Sequence, residues 1–132
     1  MSQLGLIAPD RELPGTRPLA PDDRVARAAL AAHGLPEAGW RVVERIGDLD
    51  LEAACRAAAA AVHAGADLRG TPLGAWLHAT RDLPILFWYA GFVDDLDVLA
   101  PDERLAAARR QLAASGELYL LSGVLARPPG RR

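Results

Sequence analysis

The sequence predicts an α/β domain: a small, mainly parallel sheet of three to four strands flanked by helices. Three observations carry that expectation. Short apolar runs alternate with alanine-rich stretches of helical length along the 132 residues. One run, Leu83–Val93, is apolar on both alternating sides, as a strand covered on two faces must be. Proline and glycine stand at the starts and ends of the helical stretches rather than inside them.

Residues 1–20 hold Pro9, Pro14, Gly15 and Pro18 between short apolar pieces. They read as an extended arm, in which Leu4–Ile7 is suited to pairing on a sheet edge. The domain proper is expected over 21–126. A flexible basic tail over 127–132 carries Arg127, Arg131 and Arg132.

A helix opens at Leu19-Ala20-Pro21-Asp22-Asp23-Arg24, where proline costs nothing and acids suit the positive end of the dipole. Gly34 and Pro36 stop it. Trp40–Ile46 follows as a strand near an edge, its β-branched residues alternating with charge. Gly47-Asp48 supplies a turn and Asp50 a cap for a helix over Leu51–Ala64. On that helix Leu51, Cys55, Ala58 and Val62 form the inward stripe, with Glu52, Arg56 and His63 outside.

Residues 66–72 form a loop. Thr71 then caps and Pro72 starts a short helix to Thr80. After the strand Leu83–Val93 a second helix begins at Leu99-Ala100-Pro101-Asp102-Glu103-Arg104 and runs to Ser115-Gly116; Leu118–Leu125 is the last strand. The two helix starts share Leu-Ala-Pro-Asp-(Asp/Glu)-Arg. Duplication of a helix–strand unit is one reading of that match, and reuse of a good helix start is the other.

Composition narrows the function. A net charge of −2 gives no electrostatic attraction for nucleic acid or an anionic membrane. All fifteen basic residues are arginine, and neither lysine nor asparagine occurs. That excludes a Schiff-base lysine, a P-loop lysine and an asparagine oxyanion donor, and suggests a GC-rich bacterial genome. No Gly-x-Ser-x-Gly elbow, Gly-x-Gly-x-x-Gly loop or Cys/His zinc spacing is present, so no cofactor is expected. Cys55 is the single cysteine and reads as a buried structural thiol. The start lacks a basic stretch followed by an apolar run, and Leu83–Val93 is too short to cross a bilayer, so a cytoplasmic protein is expected.

Three groups of residues qualify as candidate sites. Asp94, Asp95 and Asp97 follow the apolar strand, at the edge where open α/β sheets bind ligands, and could hold a hard cation such as magnesium. The plainer reading is a solvated turn. His78, Thr80, Arg81 and Asp82 precede the same strand, ~30 Å from those acids if it is straight. Arg81 could clamp a carboxylate or phosphate. Leu73, Trp76 and Leu77, on the short helix beside a Gly/Pro loop, form a candidate partner-binding patch; packing onto the sheet is the alternative.

From Trp40 to Gly123 the order is strand, helix, loop with a short tryptophan-bearing helix, apolar strand, helix, strand. Ile46–His63, Pro72–Leu77, Leu83–Trp88 and Glu117–Ser122 are the pieces that match, and in this order the chain resembles the barstar family of ribonuclease inhibitors. The resemblance implies a three-stranded parallel sheet. It does not imply ribonuclease inhibition, because Gly70-Thr71-Pro72-Leu73-Gly74 carries neither the asparagine nor the acids of the family's inhibitory segment. The resulting expectation is a non-catalytic accessory module acting by protein–protein contact through Leu73, Trp76 and Leu77. The competing expectation is a small magnesium-dependent enzyme or nucleotide-binding subunit using Asp94, Asp95 and Asp97. Homodimerisation through alanine-rich helix faces is a third.

Overall fold

Leu6 and Ile7 are fully buried and Leu4 nearly so, although the arm that contains them carries the composition of a surface segment. In a computed structural model, which describes residues 3–89, 98–99, 103–115 and 118–122, they belong to strand β1 (Gln3–Ile7) at the middle of a six-stranded sheet. The other strands are β2 (Thr16–Pro18), β3 (Arg41–Val43), β6 (Ile85–Tyr89), β7 (Val98–Leu99) and β8 (Leu118–Ser122). Their order is β2-β3-β1-β6-β8-β7. β4 (Arg45–Ile46) and β5 (Leu49–Asp50) form a separate small hairpin.

The expected mainly parallel sheet is overturned. β1 pairs antiparallel with β3 and β6, β2 with β3, and β6 with β8; only the two-residue edge strand β7 runs parallel to its neighbour. The reason lies in β1. It inserts between β3 and β6, so the apolar strand β6 lies between two antiparallel partners. Apolar character on both faces reports cover on both faces, and cover does not fix strand direction.

That cover comes from helices on each side. α1 (Arg24–Ala32) buries Ala26, Ala29 and Leu30 against Leu4, Leu6, Trp40, Val42, Leu86 and Leu121. On the opposite face, α2 (Leu51–His63), α3 (Pro72–Ala79) and α4 (Arg104–Ser115) pack over Ile7, Val43, Ile85, Phe87 and Leu120. Along β6, Ile85 and Phe87 therefore enter one core and Leu86 the other, as the period-two reading requires. Arg24 and Arg104, the last residues of the two matching segments, are the first residues of α1 on one face of the sheet and of α4 on the other; residues 100–102 of the second segment lie outside the described residues.

Local signals set several boundaries where sequence reasoning puts them. Asp50 caps α2 by accepting from the Ala53 N–H at 2.8 Å. Thr71 caps α3 by accepting from the Gly74 N–H at 3.0 Å, with Pro72 as first residue. The strand expected over Trp40–Ile46 is broken at Glu44. There the N–H groups of Glu44 and Arg45 both donate to the Gly15 carbonyl, at 2.8 and 3.1 Å, so two residues oppose one and the chain bends into β4. Gly15 adopts φ +78°, and a Cβ on it would lie 2.4 Å from the Arg45 carbonyl oxygen.

Candidate functional site

β2 and β3 bring Thr16 and Arg41 together. Arg41, half-buried, pairs in register with Pro18 on one side and Ile7 on the other. Its Nε donates to the Thr16 hydroxyl at 3.0 Å and its Nη2 to the Thr16 carbonyl at 3.1 Å. A guanidinium has five donors, so these bonds fix its orientation and leave Nη1 uncommitted. Arg41 forms no ion pair among the described residues.

Arg41 stands between two adjoining hollows. One, of about 460 Å³, is lined by Pro9, Leu13, Pro18 and Trp40 with Arg11 and Glu12 at its rim. The other, of about 500 Å³, is lined by Leu13, Pro14, Gly15 and Thr16 together with Glu12. Glu12, Leu13 and Arg41 border both, so the hollows form one trough along the start of β2, open to solvent. Its lining mixes polar and apolar groups: Glu12 and Arg41 border both hollows, Leu13 is half-buried and Pro18 exposed, while Trp40 is only 5% exposed and anchored in the core under α1.

Ion pairs hold the segments that border the trough. Arg17 on β2 forks onto Asp23 at 2.7 and 2.8 Å and reaches Glu44 at 2.7 Å. Asp23 also accepts from the Ala20 N–H at 2.6 Å, and these donors hold its carboxyl well below the usual carboxylate range. Arg11 forks onto Asp82 at 3.1 Å through both terminal nitrogens, tying the trough's outer wall to the turn before β6. The arrangement can take an extended chain segment: contact with Leu13 and Pro18 and one charge-assisted hydrogen bond to Arg41.

The residues singled out from sequence fare differently. Leu73 and Leu77 are fully buried in the core beneath α2 and α4 and present no surface. Trp76 is half-buried and lies against Phe87 with ring centroids 5.2 Å apart. The patch expected from Leu73, Trp76 and Leu77 is thus corrected to a part of the core: α3 packs its apolar side onto the sheet. Asp94, Asp95 and Asp97 lie outside the described residues, as does the tail over 127–132. Among the described residues no group of His, Cys, Asp and Glu is placed to hold a metal ion. Cys55 is buried, and loss of solvation pushes its thiol up to about 12, which leaves it protonated and unreactive at neutral pH. His78 lies in the last turn of α3, where Arg69 approaches its ring and Arg81, just beyond the helix, donates to its carbonyl.

Sequence reasoning missed Arg104 altogether. It is the first residue of α4 and 1% exposed. Its Nε donates to the Ser122 hydroxyl at 2.9 Å, its Nη1 to the Thr80 carbonyl at 2.6 Å, and its Nη2 to the Leu83 carbonyl. Burial lowers its pKa from 12.5 to about 10, so it remains a cation at neutral pH, solvated by backbone oxygens in place of water. One signal was available. Arg104 closes the same six-residue helix start as Arg24, but Arg24 is exposed and nothing in the motif distinguishes the two.

No family model, curated protein or solved structure matches the chain. Among the described residues no helix is long and apolar enough to cross a membrane.

Proposed function

We propose that the protein is a binding module that acts through protein–protein contact, and that its contact site is the trough beside β2. The partner presents an extended segment carrying an acidic side chain, which pairs with Arg41 while neighbouring apolar side chains rest on Leu13 and Pro18. The observation that carries this reading is Arg41: held by Thr16, with donors to spare, in an open trough beside Leu13 and Pro18. A guanidinium fixed in advance loses little freedom on engaging a carboxylate, which favours it as a recognition group. An open trough suits a chain segment better than a small substrate, which needs enclosure. The proposal sets the module in the cytoplasm of a bacterial cell, a reading supported by its single, buried cysteine.

A photo-crosslinking residue at Glu12, used in the native host, tests the site. A discrete adduct is expected there, mapping to an acidic segment of the partner, and it disappears in Arg41→Glu. The same adduct at undiminished yield in a folded Arg41→Glu protein, or from a crosslinker placed at Arg110 on α4, sinks the proposal.

A further inference from the structure

Among the described residues, the charged side chains that line the trough are Arg11, Glu12 and Arg41. Arg11 is spent on its neighbours: it donates to Asp10 at 2.8 Å and to both carboxylate oxygens of Asp82 at 3.1 Å. The Thr16 hydroxyl is spent too, since it donates to the Leu13 carbonyl at 2.9 Å and accepts from Nε of Arg41 at 3.0 Å. That leaves two opposite charges, the guanidinium of Arg41 and the carboxylate of Glu12. Neither forms an ion pair with the other or with any further described residue.

Glu12 limits what the trough accepts. It borders both hollows, as Arg41 does, so an acid that approaches Arg41 is attracted by one charge and repelled by the other. A wholly apolar segment would strip water from both charges and replace it with nothing. A segment that carries an acid and a base meets each charge with its opposite.

We propose that the segment recognised at the trough carries a basic side chain close to its acidic one, the acid taking Arg41 and the base taking Glu12. This partner chemistry rests on the reading of the trough as a contact site for a chain segment. The two charges have different parts in it. Arg41 is half-buried and oriented by Thr16, so it anchors the segment. Glu12 is exposed, and an exposed ion pair adds little affinity. Its part is selection: it turns away segments that are acidic alone. A crosslinking residue put in its place therefore still captures the partner through Arg41.

The test is selection of phage-displayed random linear peptides on the whole protein, run side by side on wild type, Glu12→Gln and Arg41→Gln. Circular dichroism first establishes that each variant is folded. Peptides retained by wild type are expected to carry an acid, with a lysine or arginine close to it about threefold more often than in the unselected library, the preference an exposed ion pair gives. On Glu12→Gln the acid is expected to persist while the base falls back to its library frequency. On Arg41→Gln the acid is expected to be lost. Should Arg41→Gln not fold, wild type against Glu12→Gln decides alone. Acids enriched on wild type without a base, or a base equally enriched on Glu12→Gln, overturn this inference and leave the trough a site for acidic segments. No acid enriched on wild type, or an acid equally enriched on folded Arg41→Gln, overturns the contact reading and this inference with it.

Discussion

Arg104 carries a full charge into the core with no ion pair among the described residues, the field of Asp82 offsetting only part of the lost hydration. It stands at the first position of α4, where the helix dipole opposes a cation, so the acceptors around it must offset both that repulsion and the lost hydration. They are carbonyls of the turn before β6 and the hydroxyl and carbonyl of Ser122 at the end of β8. One side chain thus fastens a helix start, a turn and a strand end. Replacing it with a residue of similar length but no donors leaves buried oxygens unsatisfied. Arg104→Met is expected to lower the unfolding free energy by about 3 kcal/mol. Urea denaturation followed by far-ultraviolet circular dichroism reads the change; a loss below about 1 kcal/mol would show that water replaces the guanidinium.

At the scale of elements, α3 depends on a close approach that only glycine permits. A Cβ at Gly74 would lie 1.9 Å from the Leu68 carbonyl oxygen and 2.5 Å from its carbon. Those are backbone atoms and cannot swing aside. The Thr71 hydroxyl also donates to that carbonyl, at 2.6 Å, so the 3-10 turn and the first turn of α3 form one unit. Gly74→Ala would ordinarily favour a helix, but here it is expected to cost about 3 kcal/mol through overpacking. A midpoint shift in denaturant measures it, and an unchanged or raised midpoint refutes the steric account.

Such elements were legible in the sequence to the extent that their causes are local. Asp50, Thr71 and Pro72 announce helix starts within a few residues, and α2 and α3 begin where they indicate. The break at Glu44 was not legible, because it depends on Gly15 approaching from a segment about thirty residues earlier. The trough at Arg41 was hidden for the same reason: its walls are two stretches brought together by strand pairing of β3 with β1 and β2. Leu73 and Leu77 were legible as apolar but not as inward, since their burial depends on where α2 and α4 lie.

For the whole molecule, the decisive strand is β1. Its residues Leu6 and Ile7 contribute to the two cores on opposite faces of the sheet, so removing it opens both layers at once. Deletion of residues 1–8 is expected to abolish the cooperative thermal transition, where loss of a surface arm would leave it intact. Calorimetry decides between them, and a sharp transition within a few degrees of the full chain would contradict the central placement. The covering of β6 was readable from its composition. Its antiparallel partners were not, because pairing joins Leu4 to Trp88 across most of the chain.

That pairing has a consequence on the ribosome. The segment Gln3–Ile7 emerges well before its partner, and about eighty residues must be synthesised after it before Ile85–Tyr89 arrives to take its far edge. Until then Leu4, Leu6 and Ile7 have only β3 beside them. The central strand therefore spends that interval as an exposed apolar edge, and the sheet closes only once β6 has been made.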